Sequence, residues 1–147
     1  NNFTFEKESE VLGPVKMTVT QVSAGKQHNV VPADVHLVVD VRVNDCYSNQ
    51  EIVDLLQQDA PCTLTPRSTN LNSSSIPQTH ELVQAGIGLG REPYGSPTLS
   101  DQAKLSCPSL KLGPGDSTRS HTANEFIHVS EIEEGISIYI NLLNEIL

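Results

Sequence analysis

The clearest alternation in the chain runs from Val35 to Val43. Val35, Leu37, Val39, Val41 and Val43 fall on one face, and His36, Val38, Asp40 and Arg42 on the other, the period-two pattern of a strand. One wholly apolar face against a polar, charged one predicts a strand that covers a core on one side only. Upstream, Val15-Lys16-Met17-Thr18-Val19-Thr20-Gln21-Val22 alternates and is β-branched, predicting another strand. Ala24–Asn29 breaks it, and Pro32, which cannot donate to a ladder, delays the next strand. After the turn Asn44-Asp45 the period lengthens. Ser48-Asn49-Gln50-Glu51 has capping-box spacing ahead of Ile52, Val53, Leu55 and Leu56, predicting a helix of about three turns that stops before Pro61. Cys62–Leu64 reads as a last short strand. Strand, strand, helix, strand is most of a split β-α-β sandwich, without its opening strand and helix. A sheet beginning here would have an uncovered edge and face, so the chain is expected to be truncated.

The second half is patterned differently. Ser68–Pro77, with Ser73-Ser74-Ser75, reads as a linker or domain crossover. Thr79–Leu89 predicts a short helix built on Leu82, Val83, Ala85 and Ile87. Gly90–Ser100, with Pro93, Gly95 and Pro97, is an irregular loop, and Leu105–Leu112 is a short strand candidate interrupted by Pro108. Gly113–Ile127 is a polar loop opened by a glycine turn. Ser130–Leu147 is the strongest helix signal, with Ser130 and Glu133 as its expected capping box. Ile132, Ile136, Tyr139, Ile140, Leu143 and Leu147 line its expected buried face, widened by Ile138, Leu142 and Ile146. The fold class expected is therefore mixed α+β or α/β. No internal repeat is visible.

Composition narrows the function classes. With 147 residues, 37% hydrophobic and no Trp, the chain has room for one modest domain or two partial ones. A formal charge of −9 with nine scattered Lys and Arg argues against a nucleic-acid surface. No apolar run approaches the roughly 18 residues of a membrane span. The sequence shows no basic-then-apolar leader and does not begin with Met, so it is expected to be processed or excised. Cys46, Cys62 and Cys107, an odd count with no C-x-x-C pair, read as buried reduced thiols of a cytoplasmic protein. Asn2-Phe3-Thr4 and Asn72-Ser73-Ser74 match the glycosylation pattern and are read as chance.

Several motifs can be weighed against ordinary structure. Gly86-Ile87-Gly88-Leu89-Gly90 lacks the spacing and preceding strand of a dinucleotide turn. Ser117 and Ser120 adjoin His121, but no nucleophile elbow is present. His121 is the strongest candidate. It follows a Gly-Pro-Gly turn that lets a ligand approach backbone, it is flanked by small residues, and Glu125 lies four residues on. Neutral imidazole is a common zinc ligand, yet zinc takes about four, and no second ligand cluster occurs in the sequence. His28, His36, His80 and His128 are dispersed and read as structural or surface residues. Asp40 and Arg42 share a strand face. They can pair with one another, or Arg42 can offer its guanidinium fork to a substrate carboxylate.

Three blocks, in order, carry a family resemblance. They are Gly25-Lys26-Gln27-His28-Asn29-Val30-Val31-Pro32; Val39-Asp40-Val41-Arg42; and Ser100-Asp101 with Leu112-Gly113-Pro114-Gly115 and His121-Thr122-Ala123-Asn124-Glu125. The chain resembles the C-terminal half of the co-catalytic zinc aminoacylase/peptidase family, which includes acetylornithine deacetylase, succinyl-diaminopimelate desuccinylase and aminoacylase. It is most similar to the acetylornithine deacetylase branch, which serves arginine biosynthesis. The resemblance implies a partial ferredoxin-like lid, or dimerisation, domain over residues 1–70, followed over residues 71–147 by the closing strand-helix segment of a zinc-dependent catalytic domain. It implies His121 as a ligand to one of two zinc ions, or cobalt in their place. Arg42, Asn29, Gly113, Gly115, Asn124 and Glu125 would be substrate-binding residues, Arg42 toward the substrate carboxylate. The implied partners are a small N-acyl amino acid, a second copy through the lid, and an upstream half of the enzyme.

The family's H-x-D metal motif, bridging Asp, Glu pair and general-base Glu are all absent from this sequence. Lys104 and Cys107 stand where the family keeps apolar residues. No catalytic residue is therefore expected in this chain, and the chain alone is expected to be inactive. The competing expectations are a non-catalytic dimerisation or binding module, and one chain of a split dipeptidase or desuccinylase.

Overall fold

The computed structural model describes residues 3–147, so Asn2 of the first glycosylation match lies outside the described residues. The chain is α+β. Among the described residues it has a two-stranded antiparallel sheet and three α-helices. It divides into two compact units, Asn1–Ser73 with Gly95–Leu99, and Ser74–Tyr94 with Ser100–Leu147.

In the first unit, β1 (Lys16–Ala24) pairs antiparallel with β2 (Val35–Arg42). The apolar parity of β1 fails at Thr20-Gln21, because Val19 and Val22 are three apart. A bulge between Val19 and Gln21 absorbs the extra residue. Beyond it Val22 meets Leu37 and Ala24 meets Val35, as Met17 meets Val41 and Val19 meets Val39 before it. Directly opposed residues share a face, so the bulge keeps one face of the hairpin entirely apolar. Thr20 donates its hydroxyl to the Val38 carbonyl at 3.2 Å across the irregularity. The expectation that this face covers a core is corrected here: Val22 is 67% exposed and Val35 60%. The reason is that α1 makes no close contact with either strand.

The short core of this unit forms elsewhere. The charged N-terminal stretch folds back on residues 44–52 rather than extending. Asn44 donates its amide to the carbonyls of Lys7 and Gly13 at 3.2 and 2.9 Å. The Tyr47 hydroxyl accepts the Lys7 N–H at 2.8 Å. Ser9, Asn44, Tyr47 and Ile52 are buried by this closure. Helix α1 (Asn49–Asp59) starts as its sequence dictates: the Ser48 side chain takes the Glu51 N–H at 3.1 Å and the Glu51 carboxylate takes the Ser48 N–H at 2.7 Å. That hydrogen bond, with Lys7 nearby, holds the Glu51 carboxyl below its usual range. Part of the expected linker is fastened here, since Asn72 accepts the Asn49 N–H at 2.7 Å and Ser73 donates to Val43 at 2.9 Å. The strand expected at Cys62–Leu64 is absent; the segment is irregular, with no neighbouring strand to complete its ladder.

In the second unit, α2 (Glu81–Gly88) packs on α3 (Val129–Ile146). The Gly86–Gly90 run is the end of α2. Gly90, at φ +75°, donates to Ile87 and Arg91 donates to Gly86, the paired hydrogen bonds of a Schellman cap. His80 caps the other end through Nδ1. The strand expected at Leu105–Leu112 is also absent; a single 3-10 turn, Asp101–Lys104, is followed by irregular chain.

Two features of α3 correct the sequence reading. Its N-terminal carboxylate is Glu131, which accepts the His128 N–H at 2.8 Å, rather than Glu133 acting with Ser130. Its sheltered stripe is Gly135, Ile138, Leu142 and Ile146, while Ile132, Ile136, Tyr139, Ile140, Leu143 and Leu147 lie exposed. The expectation of buried thiols fails as well: Cys46 is half-buried, and Cys62 and Cys107 are exposed in irregular segments.

Candidate functional site at the glycine loop

The loop that precedes α3 is built from three local devices. Gly113-Pro114-Gly115 makes the first bend, and Gly115 has φ +81°, where a side chain would be strained and would press on Ile127. Asp116 then caps the 3-10 turn Ser117–Arg119 by accepting the Thr118 N–H at 2.8 Å, which lowers its carboxyl pKa. His121 follows with φ +62°, the one non-glycine residue at positive φ among the described residues. Its backbone N–H donates to the Glu125 carboxylate at 3.0 Å. The four-residue spacing seen in the sequence thus becomes a closed turn.

The loop is tied to α3 by groups that the sequence pattern does not mark. Arg119 grips Glu131 with both terminal nitrogens, one at 3.0 Å and the other closer still. These bonds raise the Arg119 pKa and, with the His128 N–H, lower that of Glu131. The Arg119 guanidinium also stands over the Phe126 ring at 4.8 Å. Tyr139 donates its hydroxyl to the Leu112 carbonyl, and Arg91 pairs with Glu134 at 3.1 Å. Between loop and helix lies a cavity of about 200 Å³, lined by Arg91, Gly113, Gly115, Asp116, Glu131 and Tyr139 among others.

The candidate residues divide between the units. Gly113, Gly115, His121, Asn124 and Glu125 share the glycine loop, where His121, Asn124 and Glu125 are exposed. Asn29 and Arg42 belong to the other unit. Asn29 lies in the turn that joins the strands, and Arg42 ends β2 opposite Lys16. The ends of β2 are roughly 24 Å apart at 3.4 Å per residue, so the hairpin does not bring these two side chains together. Arg42 donates to Asp40 at 2.7 Å, the pairing that their shared face allows.

The residues present do not make a metal site by themselves. No group of three or more His, Cys, Asp or Glu able to hold an ion occurs among the described residues. A lone imidazole supplies one of about four positions. Among the described residues, no helix is long and apolar enough to cross a membrane.

Comparison with known proteins adds two kinds of likeness. Residues 3–61 match the family described as the peptidase dimerisation domain of the M20 group. A LysW-lysine/LysW-ornithine hydrolase of Sulfurisphaera tokodaii is 26% identical over 139 residues, covering 86% of this chain and 39% of its own length. A succinyl-diaminopimelate desuccinylase of Cereibacter sphaeroides is 27% identical over 149 residues, covering 90% and 39%. The hydrolase of Saccharolobus solfataricus that bears the same name as the first is 23% identical over 152 residues, covering 95% and 43%. The chain therefore spans about two-fifths of the length of the curated relatives it matches. The family match covers residues 3–61, and the named relatives extend the likeness to 86% or more of the chain.

Proposed function

We propose that this chain is part of an M20 metal-dependent amidohydrolase that removes the acyl group from an N-acyl amino acid in amino-acid biosynthesis. The observation that carries this reading is the similarity to a desuccinylase through 90% of the chain, a span that must include residues of both units. Residues up to about 70 are the lid and dimerisation part, and residues 71–147 close the catalytic domain. The substrate class is acetylornithine, acetylcitrulline or a succinylated analogue, as in arginine biosynthesis, and the compartment is the cytoplasm. Zinc, as two ions or with cobalt in its place, is the cofactor. This chain supplies His121 to it, and residues outside the chain supply the rest.

The glycine loop forms one wall of the substrate pocket through Gly113, Gly115, Asn124 and Glu125. Arg42 faces the substrate carboxylate once it leaves Asp40, and Asn29, at the other end of the hairpin, makes a separate contact. The homodimer forms through the unit that contains the hairpin.

The test joins this chain to the upstream three-fifths of the Cereibacter desuccinylase. The 147-residue chain alone, loaded with zinc, is expected to hydrolyse neither N-acetylornithine nor N-succinyl-diaminopimelate. The joined protein is expected to hydrolyse one of them. His121→Ala should lower that rate on the order of 100-fold or more, because a metal-bound reaction centre loses a ligand. A joined protein that binds zinc and keeps its full activity after the His121→Ala substitution would remove His121 from the site.

A further inference from the structure

We propose that Arg119 is the positioning residue of the His121 turn, and that it acts through its two-pronged grip on Glu131. The inference rests on the preceding reading only in taking His121 as the working side chain.

Four contacts converge on Arg119. Its guanidinium reaches both carboxylate oxygens of Glu131, a geometry that fixes the orientation of the planar fork as well as its position. Glu131 is itself immobilised, because it accepts the His128 N–H at the first turn of α3. The same guanidinium covers Phe126, beyond His121 in the chain. The Arg119 carbonyl accepts the Thr122 hydroxyl at 2.7 Å and so closes the backbone around Ser120 and His121. The side chain of Arg119 thus holds one end of the turn to a rigid helix, and its carbonyl holds the other end to itself.

The need for such a hold follows from the backbone. A non-glycine residue at φ +62° is in a sparsely populated conformation that persists only where its surroundings over-determine it. The Glu125 carboxylate supplies one constraint, on the His121 N–H. Without the Arg119 side chain, the hydrogen bonds left to the turn, from the His121 N–H to Glu125 and from the Thr122 hydroxyl to the carbonyl of residue 119, lie within the loop and do not reach α3. Among the ion pairs of the described residues, Arg119–Glu131 is also the sheltered one, with side chains 18% and 26% exposed. The other pairs lie on more open surface, where ion pairing contributes little.

The experiment measures amide hydrogen exchange by NMR on the 147-residue chain carrying Arg119→Met, Arg119→Lys or Glu131→Gln. Met keeps much of the apolar stem, Lys keeps the charge without the fork, and Gln keeps an oxygen for the His128 N–H. Arg119→Met and Glu131→Gln are expected to speed exchange at His121 by roughly tenfold or more, while Val83 and Leu142 change less than about twofold. Lys is expected to recover less than half of the lost protection, since one ammonium cannot replace a bidentate pair. Unchanged protection at His121, full recovery with Lys, or an equal loss at Leu142 would each overturn the proposal. The first denies the hold, the second denies the fork, and the third makes Arg119 a residue of general stability. The functional reading fails separately: if His121→Ala leaves the joined enzyme active while Arg119→Met still loosens the turn, the hold stands and the role of His121 does not.

Discussion

Gly135→Ala tests how the glycine loop is seated on α3. Two effects oppose one another. Alanine inside a helix is favoured over glycine by roughly 0.5–1 kcal/mol. Against this, a Cβ at position 135 would stand 3.0 Å from the Pro114 Cβ, and the next atoms of Pro114 are at 3.6 and 3.7 Å. Carbon pairs prefer about 3.5–4.0 Å, so one contact must open by about half an ångström or more. Overpacking a rigid core costs about 1–3 kcal/mol. Pro114 is exposed in an irregular loop and can yield, which places the cost near the bottom of that range. The two contributions should nearly cancel, giving a net change within about 1 kcal/mol. The loop, not the helix, should then record the substitution. In urea titrations followed by circular dichroism the midpoint is expected to hardly move. In NMR spectra, amide signals from Gly113 to Asp116 should shift, and those of Leu142 should not. Adding Pro114→Ala should relieve the contact and expose the helix gain, a non-additive result for two touching residues. A loss above about 2 kcal/mol would show that Pro114 cannot yield. A gain near 1 kcal/mol with no shift in the loop would show that the contact does not exist.

Three further outcomes are expected. Gly95→Ala should destabilise the first unit by about 1–3 kcal/mol, because its Cβ would lie 2.3 Å from the Val11 carbonyl oxygen, a backbone atom that cannot turn aside; an unchanged melting midpoint contradicts this. Ser48→Ala should cost about 0.5–2 kcal/mol through the first turn of α1, read as faster exchange at Glu51 and Ile52. Glu51 and Glu131 both have folded pKa values lowered from 4.5, first by the Ser48 N–H for Glu51 and first by Arg119 for Glu131. Their contributions are therefore complete above about pH 4.5 and are lost as pH falls through the lowered folded values, so helicity measured from pH 7 downward should begin to drop only in that acid range; helix content that starts to fall near pH 6 would assign the loss to other groups.

What the sequence shows well is what neighbours decide among themselves. The Ser48–Glu51 box, the Asp40–Arg42 pairing and the alternation of β2 all depend on residues a few positions apart. Strands at Cys62–Leu64 and Leu105–Leu112 are different, because a strand exists only when another strand completes its hydrogen bonds, and a short apolar run does not say whether one arrives. The bulge in β1 lies between these cases. The parity break at Thr20-Gln21 is visible in the sequence, but only the pairing with β2 shows that it preserves an apolar face rather than ending the strand. The loop site follows the same rule: His121 and Glu125 are legible because they sit four apart, whereas Arg119 and Glu131 are twelve apart in unlike structures.

The inverted face of α3 shows why an apolar pattern is a weak guide to what packs. Ile132, Ile136, Ile138, Ile140, Leu142, Leu143 and Ile146 surround much of the helix, so hydrophobicity names no single stripe. The stripe is chosen by the residue with no side chain. Gly135 lets Pro114 lie against the backbone of α3, and the Tyr139 hydroxyl, one turn further on, takes the Leu112 carbonyl. Those two contacts seat the loop along the middle of the helix, and Glu131 holds Arg119 at its first turn. A periodicity that scores glycine as neutral and tyrosine as apolar passes over both anchors. In this chain the groups that place the candidate loop are therefore a bare glycine and a tyrosine hydroxyl, neither of which acts through apolar surface, and the expected apolar face of α3 is left mostly exposed.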